Sequence, residues 1–448
     1  MRCEIRPIKA GSGTTMLQAP PSKSIAHRLL ICAALADGVS HISGLELSAD
    51  IQATIDCLKA LGAEIKLDKD ENENDSVCEL YNASVTGIKG LFSGEEKLMI
   101  KKSEDINGES SQQNGLILNC NESGSTLRFL IPVCTLLFTE GLLPVNEPVT
   151  FKGAGRLLAR PLDVYDRLFK YTYVNFTHNP DSVEVSGSLM AGDYCIDGNV
   201  SSQFITGLML TLPMLGGNSR IRINPPVESR PYIDITISVL KEFGVDVNWE
   251  DENTIYIPGS MRPKPVDKTV EGDWSNGAIL YALAVIQRQM GRNIVLTGLR
   301  EESVQGDKAF LAMLEAIDRG DTSVDISDCP DLGPILMAYM AIKGGGRLTG
   351  TSRLSIKESD RGLAMKAELE KMGATVVVEG NDIRVISDNG LSAPTDIIDG
   401  HNDHRIVMSM AVLCTIYGGI IEGAEAVNKS FPSFFEVLRK VGMDINVG

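Results

Sequence analysis

No Cys-x-x-Cys pair occurs in this chain, and no His/Cys cluster stands at zinc-binding spacing; nine cysteines are scattered singly over 448 residues. Such an odd, dispersed set reads as reduced thiols, with Cys32, Cys134 and Cys414 expected in the core, and neither a disulfide framework nor a metal site is expected. The opening residues, Met1-Arg2-Cys3-Glu4-Ile5, lack the apolar core of a signal peptide and the Ser/Arg-rich character of a transit peptide, so a cytoplasmic protein is expected. Long apolar runs are missing too. The longest, residues 406–421, is broken by Ser409, Thr415, Tyr417 and two glycines, which argues against a membrane span. A positive excess is absent: the net charge is −17, which speaks against a nucleic-acid partner. Gly153-Ala154-Gly155 does not complete a dinucleotide-binding G-x-G-x-x-G, and no P-loop glycine framework appears elsewhere.

What is present is a repeated opening. Six polar clusters each introduce an apolar, helix-like run: Pro21-Ser22-Lys23-Ser24, Glu122-Ser123-Gly124-Ser125-Thr126, Ser201-Ser202-Gln203, Asp273-Trp274-Ser275-Asn276, Cys329-Pro330-Asp331 and Asn402-Asp403-His404-Arg405. The runs are too apolar for surface helices and too short for a bilayer. A helix start offers unpaired N–H groups and partial positive charge, so six of them, several carrying Lys or Arg, predict an anion-binding surface. A second signature follows five of the six runs, with a weaker match lacking the glycine at 168–174. Leu58-Lys59-Ala60-Leu61-Gly62-Ala63 resembles Leu240-Lys241-Glu242-Phe243-Gly244-Val245, and related copies lie at 314–320, 369–376 and 438–445. Each reads as a helix end, a glycine and a strand start. Strands alternating with two helices per unit imply an α/β class, and six units suggest two domains of three. Residues 66–115 interrupt the pattern with an acidic, loop-rich insertion, in which 68–75 read as a solvated turn and 103–113 as a mobile loop.

Several clusters combine cations with proton carriers. Lys23 and Arg28 stand beside Ser22 and Ser24 at a helix start, and Arg28 follows Ser24 by one turn, so both can face one ligand. Ser352-Arg353-Leu354-Ser355-Ile356-Lys357-Glu358-Ser359-Asp360-Arg361 places Lys357 and Arg361 four apart, expected on one helix face, with a carboxylate beside them that can carry protons. Arg156 and Arg160 are again four apart. Ser229-Arg230-Pro231-Tyr232 is open to two readings, a proline-set turn or a hydroxyl pair for a polyol. Asp331 reads as an N-cap unless its neighbours say otherwise, and Lys429 alone would be a helix start near aromatic packing.

In order, P-S-K-S-x-x-x-R, S-G-S-T-L-R, G-R-x-x-x-R-P, S-S-Q-F, S-R-P-Y-I-D, P-D, K-E-S-D-R, N-D-H-R and K-S-F-P span nearly the whole chain. That series resembles the 5-enolpyruvylshikimate-3-phosphate synthase, or 3-phosphoshikimate 1-carboxyvinyltransferase, family. The resemblance implies two similar domains, each of three β-α-β-α-β-β units with buried central helices. Domain one is then expected at 1–20 and 270–448, and domain two at 21–269 including the insertion. It implies phosphoenolpyruvate and shikimate 3-phosphate as substrates and no metal or organic cofactor; a monomer is expected. Residues carried over for shikimate 3-phosphate are Lys23, Ser24, Arg28, Ser201, Ser202, Gln203, Ser229, Tyr232, Asp331, Arg353 and Lys357. Those for phosphoenolpyruvate are Lys23, Gly124, Arg156, Gln203, Arg361, Arg405 and Lys429. Lys23, Asp331 and Glu358 are the expected catalytic groups, Asp331 deprotonating the substrate hydroxyl and Glu358 protonating the enol methylene.

Two positions depart from the commonest family pattern. Glu122 stands where many members carry Asn, and Ser125 where they carry Thr. A carboxylate near phosphoenolpyruvate is repulsive unless it turns away or pairs with a cation. The sister family of UDP-N-acetylglucosamine enolpyruvyl transferases carries a loop Cys before its R-P, whereas residues 151–161 contain none.

Overall fold

The structure, a computed structural model, describes residues 1–8, 11–71, 78–91, 115–144, 146–321 and 323–448. The chain forms two compact units. Unit 1 comprises residues 1–23, 70–80 and 271–448; unit 2 comprises 24–69 and 81–270. Twelve α-helices occur among the described residues: α1 (Lys23–Ala34), α2 (Ala49–Ala60), α3 (Gly124–Thr139), α4 (Asp163–Phe169), α5 (Ser202–Met209), α6 (Arg230–Glu242), α7 (Trp274–Arg288), α8 (Phe310–Asp318), α9 (Gly333–Ile342), α10 (Arg361–Glu370), α11 (His404–Tyr417) and α12 (Phe434–Lys440).

Odd-numbered helices follow the six polar openings. They are buried on nearly every side: residues 333–341 of α9 and 404–415 of α11 are all inaccessible. Even-numbered helices bury one stripe, as α6 does with Ile233, Thr236, Val239 and Leu240. The glycines ending α2, α6, α8, α10 and α12 all have positive φ, as the repeated Leu…Gly signature requires.

Among the described residues, five four-stranded sheets and one two-stranded sheet cover these helices. Their order repeats. Ser323–Asp325 runs parallel to Gly345–Thr349, which pairs antiparallel with Asp382–Ile386, which pairs antiparallel with Thr375–Glu379. The sheets containing Ile117–Asn119 and Asp193–Asp197 follow the same rule. A parallel pair needs a crossover, and α3, α5, α9 and α11 each supply one inside their own sheet. In unit 1, Arg2–Ile5 lies between Gly419–Glu422 and Ile445–Val447, so residues near both chain ends share a sheet. Among the described residues, the two-stranded sheet pairs Gly13–Gln18 with Arg292–Thr297, two strands fewer than each of the other sheets.

Two expectations change. Unit 1 takes in residues 21–23 and 70–80, which the sequence suggested for the second domain. The reason is apolar: Cys78 and Leu80 are buried in the core of unit 1, with Cys78 Sγ 3.1 Å from Ser433 Oγ. Asp68 and Lys69 are not in a turn but end the strand Glu64–Lys69, opposite Asn82 and Tyr81. The rest of the acidic run, the tract at 97–102 and the loop at 103–113 lie outside the described residues.

Candidate active site

In unit 1 the site grows from the start of α10. Asp360 caps this helix by accepting the Leu363 N–H, so residues 357–360 are not helical and Lys357 and Arg361 do not share a helix face as expected. A carboxylate joins them instead. Asp331, in a short 3-10 turn ahead of α9, accepts from Lys357 Nζ at 3.0 Å and from Arg361 Nη1 at 2.7 Å. The Arg361 side chain is 2 % exposed, and its fork also meets Glu358 Oε2 at 2.8 Å and Asp403 Oδ2 at 2.9 Å. Three carboxylates therefore surround one guanidinium. Burial works to raise the Asp331 pKa, but Lys357, Arg361 and Arg405 outweigh it and hold the group well below the usual carboxylate range. Burial lowers the pKa of Lys357, an effect Asp331 partly offsets. Arg361 is pushed up by its carboxylates despite burial.

Asp403 carries the arrangement into α11. It is fully buried, caps that helix through the Arg405 N–H at 2.9 Å, and accepts from Ser359 Oγ at 3.0 Å. Arg405 donates to the Ser275 carbonyl at 3.0 Å and to Asn276 Oδ1 at 3.1 Å, while its buried Nε has no hydrogen-bond partner among the described residues. Lys429 Nζ donates to the Asn402 carbonyl at 2.5 Å. Lys23 opens α1, its N–H held by Asp273 Oδ2 at 3.1 Å while Asp273 Oδ1 caps α7 through Asn276 N–H at 2.9 Å. One carboxylate thus fixes two helix starts. His404 is buried among these groups, and burial together with Lys23 and Arg405 keeps its imidazole neutral, far below its ordinary titration range. Arg353 is elsewhere engaged: it donates to the Ser327 carbonyl.

In unit 2 the starts of α3 and α5 meet. Ser123 caps α3 by accepting the Thr126 N–H. Arg128, one turn on, donates to Gln203 Oε1 at 3.1 Å and lies over the Phe204 ring, and Gln203 Nε2 donates to Ser125 Oγ at 3.0 Å. A Cβ on Gly124 would lie 2.8 Å from Arg128 Nη1 and 3.0 Å from Arg160 Nη1, so the glycine is what lets two guanidinium groups close over the helix start. The Glu122 carboxylate packs on Gly155, where φ is +55° and a Cβ would lie 2.6 Å from Oε2. Arg156 is exposed, and no hydrogen bond or ion pair of its side chain is found among the described residues.

Ser201 caps α5 and Ser202 is buried in its first turn. Ser229, buried at φ +56°, precedes α6, whose first turn carries Pro231 and Tyr232. Arg28 is not poised beside Ser24 for a ligand as expected. It is buried and donates to Thr236 Oγ1 (2.8 Å), Thr206 Oγ1 (3.3 Å), the Tyr232 carbonyl (3.1 Å) and the Ser24 carbonyl (2.6 Å). It thereby ties α1, α5 and α6 together, and burial lowers its pKa to about 10.

Unit 1 therefore brings together Lys357, Asp331, Arg361 and Glu358, and sets Arg405 on the same capping Asp403. Unit 2 brings together Gly124 and Gln203 and separates them from Arg28. Three residues of these clusters were not among the expected site residues, Asp403, His404 and Arg128, and Arg160 was noted only for its spacing from Arg156. Each was visible within a quoted motif, Arg128 and Arg160 one turn after Gly124 and Arg156, but spacing alone could not distinguish a buried guanidinium from an exposed one. No helix among the described residues is long and apolar enough to cross a membrane.

The family described as EPSP synthase (3-phosphoshikimate 1-carboxyvinyltransferase) matches residues 6–85 and 83–438. A 3-phosphoshikimate 1-carboxyvinyltransferase from Clostridium novyi is 37% identical, the match covering 95% of this chain and 94% of the relative. One from Clostridium kluyveri is 35% identical over 96% of this chain and 95% of the relative. The solved EPSP synthase of Acinetobacter baumannii shares the fold, with a TM-score of 0.73, 20% identity and full coverage of both chains.

Proposed function

The chain belongs to the EPSP synthase (3-phosphoshikimate 1-carboxyvinyltransferase) family, and from that premise we propose how its residues divide the chemistry. The enzyme transfers the carboxyvinyl group of phosphoenolpyruvate to the 5-hydroxyl of shikimate 3-phosphate and releases phosphate, a step of aromatic amino acid biosynthesis. Glu358 donates a proton to the methylene carbon of phosphoenolpyruvate. The neighbouring carbon gains cationic character and is attacked by the hydroxyl oxygen, whose proton passes to Asp331. The tetrahedral ketal then loses phosphate, which carries off the proton held by Asp331, and its methyl group returns a proton to Glu358 as the enol ether forms.

One observation carries this assignment: Asp331 and Glu358 each hold a nitrogen of the same buried guanidinium, at 2.7 and 2.8 Å. Arg361 thereby keeps two proton carriers in register, and Asp331 stays ionised, ready to receive a proton. Both substrates are anions. In our assignment Lys23, Gly124, Arg156, Gln203, Arg361, Arg405 and Lys429 bind phosphoenolpyruvate, and Arg128 and Arg160 extend that set. Lys23, Ser24, Ser201, Ser202, Gln203, Ser229, Tyr232, Asp331 and Lys357 bind shikimate 3-phosphate. Arg28 and Arg353 support that set through protein contacts. Preorganised positive charge of this kind is commonly the largest catalytic term. The dispersed thiols and acidic surface suit a monomer in the cytoplasm. Phosphate release from phosphoenolpyruvate that depends on shikimate 3-phosphate tests the activity. The Lys23→Ala variant tests the shared site: calorimetry should find both substrates weakened, and one unaffected substrate would remove Lys23 from its dual role.

A further inference from the structure

The turn before α11 has an unusual backbone. His401 and Asn402 both have φ +50°, a left-handed pair that non-glycine residues adopt only when something holds them. The Asn402 carbonyl receives Lys429 Nζ, and the next residues are Asp403, the cap of Arg405, and His404. What holds the turn is Glu368, whose side chain is 1 % exposed. One carboxylate oxygen meets His401 Nε2 at 2.9 Å; the other accepts from Asp399 N–H at 3.0 Å and Lys371 Nζ at 2.7 Å. Glu368 follows Arg361 by seven residues on the buried face of α10. The helix therefore grips the turn at two points, Arg361 on Asp403 and Glu368 on Asp399 and His401.

We propose that Glu368 and His401 are positioning residues for phosphoenolpyruvate binding: together they set the 399–403 turn, and through it the directions of Arg405 and Lys429. The proposal rests on the assignment of those two cations to phosphoenolpyruvate. It also gives the enzyme a pH response. The groups facing His401 are Glu368 from α10, Lys371 just after that helix, and Asp399 on its own turn; the hydrogen bond to Glu368 raises its pKa above the ordinary 6.5, against burial and Lys371. Below that raised value the pair is ionic and the turn is held most firmly. As pH rises through it, the charge attraction is lost and only the hydrogen bond remains.

Steady-state kinetics with both substrates, alongside melting temperatures, tests this. Glu368→Ala should raise KM for phosphoenolpyruvate about tenfold while kcat and KM for shikimate 3-phosphate stay within about twofold. Glu368→Gln, which keeps an acceptor, should recover much of the loss, and it carries the test if the alanine variant does not fold. His401→Asn retains a residue tolerant of left-handed backbone but cannot reach Glu368. In wild type, KM for phosphoenolpyruvate should climb with pH through an inflection that His401→Asn lacks. Equal changes in both KM values, or identical pH profiles, would overturn the proposal. Arg405→Ala separates the premise: an unchanged KM for phosphoenolpyruvate there removes the underlying assignment, whereas a large rise there with silent Glu368 and His401 variants removes only the positioning role.

Discussion

Two buried arginines, one in each unit, solve the same problem in opposite ways. Arg361 in unit 1 is enclosed by Asp331, Glu358 and Asp403. Arg28 in unit 2 meets only neutral acceptors, two threonine hydroxyls and two carbonyls, and rests on the Phe129 ring. Burial has opposite outcomes accordingly: the Arg361 pKa is raised and that of Arg28 falls to about 10. Charge-compensated cations can coexist with carboxylates that move protons, so acid–base work is assigned to unit 1. A cation without a counter-charge contributes positive potential to its surroundings.

The largest expected effect tests that contrast directly. Arg361→Met strands buried carboxylates and should cost about 3–5 kcal/mol in urea unfolding, while Arg28→Met strands only neutral acceptors and should cost about 1–3 kcal/mol. Equal losses would erase the distinction. Next, Glu358→Gln and Asp331→Asn should each keep substrate binding by calorimetry and lower turnover by about two orders of magnitude; wild-type turnover in either removes its role. Gly124→Ala inserts a Cβ at 2.8 Å from Arg128 and should raise KM for phosphoenolpyruvate by about tenfold, or about 1.4 kcal/mol, leaving KM for shikimate 3-phosphate unchanged.

The smallest effect compares two histidines on neighbouring backbone. His404 is buried with its pKa depressed, so below about pH 6.5 the unfolded chain takes up a proton that the folded chain refuses, and stability falls by at most about 1.4 kcal/mol per pH unit. His401, with its pKa raised, adds stability that is fully present below its ordinary 6.5 and is lost as pH rises through the raised value. Urea titrations should find the acid-side fall flattened in His404→Asn. The alkaline-side fall should be flattened in His401→Asn.

The helix starts illustrate how far sequence pattern reaches. All six polar openings lead into buried helices, because a short apolar run bounded by a cap and a glycine has few other packings. The helix face proposed for Lys357 and Arg361 failed, since Asp360 stops the helix between them, yet the pair still meets through Asp331, residues distant in sequence. Arg28 failed differently. Its spacing from Ser24 was right, but the hydroxyls of Thr206 and Thr236, from two other helices, draw it inward.

Sequence by itself determined the α/β class, the capped helix starts and the family, because these depend on local periodicity, capping and ordered motifs. Tertiary structure decided which charges are compensated. Asp331, Glu358 and Asp403 come from three separate stretches, and only folding around Arg361 brings their oxygens within 3 Å of one guanidinium. Coulombic coupling depends on distance and burial, and neither is written in the order of residues.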